Sequence, residues 1–277
     1  STPRILRSSR LLPHRARCAS LSPPPSSPCI VPFRLVMGAP PLHKALLLEL
    51  FGNAAFKFAV TAVGLLATAL ECGGAPAGCT AVSPFFLTLM TIFVLIPKLG
   101  FATGGHFNTS VTMSAAAAGS LSVVRLVLYT GCQCAGVVLA MSLIKTLTPP
   151  SYHDRVSAPS SPLPPAYAAV LEFAFGFINT LIGLFADAFG EYKAWWVSSL
   201  VIVQILVSGA SMDPTGALAG AYFHQDYTLL LEIYWIPSLL GAALAGLFHR
   251  IVTKHFLKLA GEAKTTKQKE RIEKKVD

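Results

Sequence analysis

Long apolar stretches separated by short polar connections run through most of the chain and predict membrane-crossing helices. A helix needs about 20 apolar residues to cross the hydrocarbon core of a bilayer. Six stretches reach or approach this length, at residues 45–70, 84–99, 121–145, 167–186, 194–208 and 233–252. The second and fifth are shorter than the others. The pattern therefore predicts an all-α membrane protein.

Two further apolar segments, residues 111–119 and 216–222, are too short to cross a membrane by themselves. Both are rich in small side chains, and each follows one of the two short spans. Interrupted segments at matching places in two halves of a chain indicate an inverted repeat with its site near the middle of the bilayer. The sequence therefore predicts two half-helices that enter the bundle, one from each half.

Composition and charge agree with a membrane protein. Of the 277 residues, 53% are hydrophobic and 13% are charged, and the mean hydropathy is +0.59, whereas soluble domains carry about 25% charged residues. The net charge of +9 arises mainly at the two ends, which indicates membrane-flanking tails and not a nucleic-acid surface. An even number of spans and a Lys-rich C-terminal tail predict that both termini are cytoplasmic, in the plasma membrane or in an internal one.

The first 41 residues form an Arg-, Ser- and Pro-rich segment without an acidic residue. Three interpretations stay open: a disordered tail, an organelle transit peptide, and sequence upstream of a start at Met37. Beyond it we expect a first half-repeat at 42–146, a Pro/Ser-rich linker at 147–165, a second half-repeat at 166–255 and a Lys-rich cytoplasmic tail at 256–277. Cys72 and Cys79 share a predicted outer loop, where a disulfide is one alternative.

Related motifs precede the two half-length segments. The stretch "GGHFNTSVTMSA" from Gly104 aligns without gaps with "GASMDPTGALAG" from Gly209, at a constant spacing of 105 residues. The triplets that this alignment pairs are Asn108, Thr109 and Ser110 in the first copy and Asp213, Pro214 and Thr215 in the second. A short polar residue before a helical run is a common N-cap, and proline suits the first helical position. We therefore expect two capped N-termini that meet inside the bundle.

These motifs resemble those of the aquaporins, the major intrinsic protein family. The triplets stand where the family carries Asn-Pro-Ala, and "GGHFNTSVT" is similar to the family's "SGxHxNPAVT". Gln133 and Gly136 in "CQCAG" resemble the third-helix "QxxGA", and "YWIPSLLGAALAG" resembles the sixth-helix "YWxxPxxGAxxA" with Pro237 displaced by one position. The resemblance covers residues 42–255. Both triplets are degenerate, as in the divergent, unorthodox or superaquaporin branch.

The resemblance implies a fold and a function. The fold would be an aquaporin-like right-handed bundle of six transmembrane helices and two re-entrant half-helices. The function would be passive, gradient-driven permeation of water and small uncharged solutes such as glycerol through a homotetramer in the lipid bilayer. No cofactor, metal or nucleic acid is implied.

The resemblance also assigns roles to individual positions. Glu49 and Glu172 fall where each half of the family carries a buried glutamate that braces the half-helix loop, and His106 is expected to line the pore or anchor a loop. By gap-free counting, the outer constriction falls on Thr88, Val201, Ala210 and Gly216. Gly216 stands where most members have an arginine. With no large or charged residue, the constriction would be wider than a water-only filter.

Asp213 raises a question of charge. Two facing helix N-termini each carry roughly half a positive charge and unpaired N–H groups, so that cations meet a barrier and neutral solutes do not. An ionised Asp213 would offset part of this barrier and permit a cation leak. The alternative is a capping substitution in a channel for neutral solutes. Lys57 is a polar residue within the first span, where a functional or interhelical role is the default; snorkelling to the membrane surface is the alternative.

Enzyme classes find little support in the sequence, which lacks a Gly-rich phosphate loop, a nucleophile elbow and a Cys/His metal spacing. Two other classes stay open beside a channel. A non-conducting, aquaporin-like structural protein would also have degenerate triplets and would lack the arginine. A secondary carrier would need coupling carboxylates and usually more spans.

Overall fold

The computed structural model describes residues 41–69, 106–156, 158, 163–186, 192–208 and 212–276, all within the compact unit Val36–Asp277. The described residues are mostly helical, with short turns between the helices. The helices are α1 (Leu42–Ala69), α2 (Thr109–Ala118), α3 (Val123–Leu147), α4 (Pro165–Leu184), α5 (Lys193–Ser208), α6 (Pro214–His224) and α7 (Ile236–Val276). The predicted span 84–99, the loop with Cys72 and Cys79, and the N-terminal tail lie outside the described residues.

Four segments among the described residues are long and apolar enough to cross a membrane. They are Leu42–Leu66, Val123–Leu147, Pro165–Leu184 and Leu230–Leu259. Their outward faces carry large exposed apolar side chains, among them Phe51, Val127, Val170 and Ile251. A lipid environment makes this exposure favourable, whereas a water-facing surface would not. Helix α5, with 16 residues, is short, as the sequence predicts.

The two predicted half-helices are present as α2 and α6, of 10 and 11 residues. Helix α2 ends at Gly119, whose φ of 84° is the left-handed conformation typical of a helix C-terminus. Helix α6 begins at Pro214, in the position that the sequence predicts. The boundaries of these and of the other described helices fall within a few residues of prediction, with one exception.

The exception is α7, which continues beyond the predicted apolar span 233–252 as far as Val276. Its C-terminal part is rich in Lys, Glu and Ala. These residues have high helix propensity, and extending an existing helix avoids the cost of a new nucleus. The Lys-rich tail is therefore a continuation of the last helix.

A π-helical turn at Leu230–Trp235 leads directly into α7. Here the N–H of Ile236 donates to the carbonyl oxygen of Leu231, five residues earlier. Pro237 follows immediately; it has no N–H, and its ring would clash with the carbonyl group four residues before it. The wider turn upstream of Pro237 accommodates this change in hydrogen bonding.

Helix packing repeats between the two halves of the chain. Helix α1 packs on α3 and α4 packs on α7, in each case across a glycine, Gly136 in α3 and Gly241 in α7. A Cβ atom on Gly136 would lie 3.1 Å from the backbone nitrogen of Ala54, and one on Gly241 would lie 2.9 Å from that of Phe177. These glycines are 105 residues apart, the same spacing as the two triplets.

Candidate functional site

The two half-helices are capped as predicted, and their N-termini meet. Asn108 Oδ1 accepts from the N–H of Ser110 at 2.7 Å, and Asp213 Oδ1 accepts from the N–H of Thr215 at 3.0 Å. Asn108 Nδ2 also donates to the carbonyl oxygen of Met212 at 3.2 Å. Because Met212 precedes the second cap, this bond joins the starts of α2 and α6.

A buried residue with a left-handed backbone stands directly before each cap. Phe107 has a φ of 41° and Met212 a φ of 47°, and the two are 105 positions apart. This conformation costs a residue with a side chain about 1–2 kcal/mol. The N–H of Phe107 donates to Glu49 Oε2 at 3.1 Å, and that of Met212 donates to Glu172 Oε2 at 2.8 Å. A buried carboxylate thus fixes the strained residue in each half.

Glu49 is the centre of a hydrogen-bond network. Its Oε1 accepts from the N–H of His106 at 3.3 Å, and its Oε2 accepts from Gln133 Nε2 at 2.8 Å. Gln133 also donates to Thr112 Oγ1 at 3.0 Å and accepts from Thr109 Oγ1 at 3.1 Å. The network connects α1, α3 and the first turns of α2, which are the contacts that a loop brace requires.

Glu172 occupies the corresponding place in the second half. Besides Met212, it accepts from Ser238 Oγ of α7 at 2.8 Å. Ser238 is 105 residues after Gln133, so that each brace contacts the same position of the helix packed against it. His106 contacts α2 directly, because its Nδ1 lies 3.1 Å from Thr112 Oγ1 in that helix.

Lys57 has the interhelical role that the sequence left open beside snorkelling. It does not extend to the membrane surface: it is 9% exposed, and its Nζ forms an ion pair with Asp213 Oδ2. Lys57 lies on α1 at positions i+8 from Glu49 and i+4 from Asn53, so all three share one face of that helix. All three are buried.

The remaining predicted site residues are placed as follows. Thr109, Ser110 and Thr215 lie in the first turns of the half-helices and are buried. Thr215 Oγ1 donates to Asp213 Oδ1 at 2.6 Å. Of the four constriction positions, Val201 lies on α5 and Gly216 is the third residue of α6, both partly exposed. Thr88 and Ala210 lie outside the described residues.

Three contacts of the site were missed by sequence reasoning, namely those of Gln133, Ser238 and Lys57. The 105-residue spacing could have linked Gln133 to Ser238, because it relates the two helices that pack against the braces. No pattern in the sequence could have linked Lys57 to Asp213, 156 positions away. Within the described ranges, no group of three or more His, Cys, Asp or Glu side chains could hold a metal ion.

The chain is similar in sequence to one family of known proteins. The family model described as "Major intrinsic protein" matches residues 38–249. The chain is 30% identical over 225 residues to the probable aquaporin TIP2-2 of Oryza sativa subsp. japonica, covering 76% of this chain and 87% of that protein. It is 26% identical over 186 residues to aquaporin PIP2-5 of the same organism, covering 59% of this chain and 64% of that protein.

A solved structure is also similar. The X-ray structure of the aquaglyceroporin from Plasmodium falciparum superposes with a TM-score of 0.57 and 15% sequence identity. The match covers 77% of this chain and 99% of that one. At this level of identity the likeness establishes the fold, and it confirms the helical membrane architecture expected from the sequence.

Proposed function

Because the chain belongs to the major intrinsic protein family, a family of membrane channels and not of enzymes, we propose that it conducts water and small uncharged solutes of glycerol size. Permeation is passive, follows the solute gradient and is not coupled to ions. With four described segments of membrane-spanning length, the protein is an integral membrane protein.

The observation that carries this proposal is the junction of the two half-helices, with Asn108 Nδ2 3.2 Å from the carbonyl oxygen of Met212. Facing helix N-termini present positive potential and N–H donors, which oppose cations and serve neutral hydrogen-bonding solutes. An amide nitrogen has two hydrogens. One of those on Asn108 is used at the junction, and the other can serve a passing solute.

The size of the solute is inferred from the constriction positions. Gly216 replaces the arginine that most of the family carries, and Val201 is small and uncharged. Both described positions are partly exposed. A constriction built from such residues admits molecules wider than water, and the proposal therefore includes glycerol-like solutes.

Assembly and orientation complete the proposal. Both termini face the cytoplasm, since basic residues are concentrated on the cytoplasmic side of membrane proteins and the C-terminal part of α7 is Lys-rich. Each protomer forms its own pore within a homotetramer. Glu49 and Glu172 hold the half-helix loops in place. Residues 42–146 and 166–255 are the two half-repeats of each protomer.

Stopped-flow measurements on proteoliposomes test the function. Vesicles containing the protein should shrink faster than empty vesicles in an osmotic gradient and should then take up glycerol, with rates that an imposed sodium or proton gradient leaves unchanged. Rates equal to those of empty vesicles would establish a non-conducting protein. Rates that follow the ion gradient would indicate a secondary carrier.

Gly216→Arg sharpens this test. The larger, charged side chain should reduce glycerol permeability by a greater factor than water permeability. Gly216→Ala is the matched control, because it removes the same glycine without filling the constriction. Equal glycerol uptake by both variants would contradict the placement of Gly216 at the constriction.

A further inference from the structure

We propose that Lys57 is a specificity-determining residue of the channel, whose ammonium group compensates Asp213 and keeps the half-helix junction impermeable to cations. The inference rests on the proposed channel function and adds ion exclusion to it. It starts from the position of the pair. Asp213 caps α6 at the point where that half-helix meets the start of α2.

The two oxygens of Asp213 have different partners. Oδ1 accepts from the N–H and the hydroxyl of Thr215 at 3.0 and 2.6 Å, which is the capping interaction. Oδ2 pairs with Lys57 Nζ. Capping needs only one acceptor, and the asparagine of the first half provides it without a charge. The contact with Lys57 is therefore not required to start the helix.

The ion pair joins the two halves of the internal repeat, and the repeat counterparts of both of its members are neutral. Glu49 and Glu172 are 123 positions apart, and the same spacing relates Lys57 to Thr180. Thr180 is neutral and donates to the carbonyl oxygen of Gly176 in its own helix at 2.6 Å. The counterpart of Asp213 is Asn108, also neutral. Lys57 of the first half and Asp213 of the second half are thus charged, and both of their repeat counterparts are neutral.

The charges of Lys57 and Asp213 determine the electrostatic potential at the half-helix junction. The two half-helix N-termini together present roughly one positive charge at the junction. A lone Asp213 carboxylate would cancel most of it and would make the junction attractive to cations. Lys57 restores the positive potential. The side chains of the pair are 10% and 11% exposed, so that solvent screens this charge only weakly.

Sodium flux into proteoliposomes tests the inference, with a trapped sodium-sensitive dye as the readout and water permeability measured on the same vesicles. Wild type should admit sodium no faster than empty vesicles. Lys57→Thr should raise sodium flux at least about tenfold, because it removes the ammonium group that pairs with Asp213 Oδ2 at the half-helix junction. The double variant Lys57→Thr with Asp213→Asn, which copies Thr180 and Asn108, should return to the wild-type level.

Lys145→Thr is the matched control. Lys145 Nζ donates to the carbonyl oxygen of Phe223 at 3.1 Å, at the other end of α6, and its removal should not raise sodium flux. Three results would overturn the inference while water permeability persists: an unchanged flux in Lys57→Thr, an equal leak in the double variant, or an equal leak in Lys145→Thr. Loss of water permeability from wild type itself would instead refute the channel function.

Asp213→Asn gives an independent test if Lys57→Thr does not fold without the ammonium group beside the buried carboxylate. Asparagine caps helices as well as aspartate does, so this variant retains the cap and leaves Lys57 uncompensated. Its iodide influx, measured by quenching of a trapped dye, should rise at least about tenfold above wild type, while its sodium flux stays low. An unchanged iodide influx would overturn the inference.

Discussion

Glu49 shows at the scale of one residue how a carboxylate is tolerated within a membrane-length helix. It is fully buried, and burying an ionised group is costly unless hydrogen bonds satisfy its oxygens. Three donors do so: the N–H groups of His106 and Phe107 and the side-chain amide of Gln133. The charge of Glu49 is thus used to hold backbone groups that have no partner within a helix.

Glu49→Gln should therefore lower the free energy of unfolding by about 1.5–3 kcal/mol, the value of hydrogen bonds to a charged group. The carboxylate accepts hydrogen bonds from these N–H groups, whereas the amide NH2 of glutamine is itself a donor and cannot accept from them. Urea unfolding of the detergent-solubilised protein, followed by circular dichroism, measures the change.

Glu232→Gln is the control for that measurement, since Glu232 is exposed in the π-helical turn. This variant should change stability by no more than about 0.5 kcal/mol. Equal effects of the two substitutions would mean that the network around Glu49 does not stabilise the loop.

At the scale of helices, glycines set the distance between packed pairs. Gly136 brings α3 against the backbone of α1 at Leu50 and Ala54, and Gly241 brings α7 against α4 in the same way. Close approach through small residues is the usual mode of helix association in membranes. These contacts also fix the positions of Glu49 and Glu172, which directly precede the contacted residues Leu50 and Phe173.

Gly136→Ala should destabilise the protein by about 1–3 kcal/mol or more, because the new methyl group has no space between the two backbones. The same urea measurement detects this loss. A reduced water permeability in the folded fraction should accompany it, since α1 and its brace would be displaced from α2.

Gly131→Ala, in the same helix, is the comparison. A Cβ atom at Gly131 meets nothing within 4 Å, so alanine should stabilise α3 by up to about 1 kcal/mol through its higher helix propensity. A loss of stability in both variants would show that α3 is sensitive to any added methyl group.

The C-terminal ends of the half-helices follow the same repeat. Lys145 bonds to the last turn of α6, and Arg250, 105 residues later, lies beside Gly119 at the end of α2. Cations stabilise a helix C-terminus through its dipole. Each half-helix therefore has a basic side chain at one end and a polar cap at the other.

At the scale of the whole molecule, charge and exposure define how the chain sits in a bilayer. The faces of α1, α3, α4 and α7 that point outward are apolar, and polar side chains such as Glu49, Gln133 and Glu172 are directed inward. Basic residues are concentrated beyond the last span. This distribution underlies the proposed orientation, with the C-terminus in the cytoplasm.

Epitope tags test that orientation. A tag at the C-terminus should bind antibody once digitonin has opened the plasma membrane. A tag inserted after Asp226, in the exposed connection between α6 and the π-helical turn, should be on the opposite side. If the protein is in the plasma membrane, antibody should reach this tag in intact cells. If it is in an internal membrane, antibody should reach the tag only after complete solubilisation. Access to both tags from the same side would contradict a membrane-spanning segment Leu230–Leu259 between them.

Local information in the sequence determined a large part of this molecule. The length of the apolar stretches indicated a membrane protein. The short polar residues that precede the two half-length apolar segments indicated the helix caps at Asn108 and Asp213. The spacing of 105 residues revealed the repeat. These features were predictable because each depends on neighbours along the chain: hydrophobic length, capping and the first helical turn all act within a few residues.

Tertiary structure decided what depends on distant residues. It brought Lys57 to Asp213 across 156 positions and gave Glu49 its three donors. The sequence showed a lysine and an aspartate in separate apolar stretches, where each could have faced lipid, solvent or protein. Only the packing of α1 beside the half-helix junction makes them partners, because a buried charge is retained where the fold supplies its counterion.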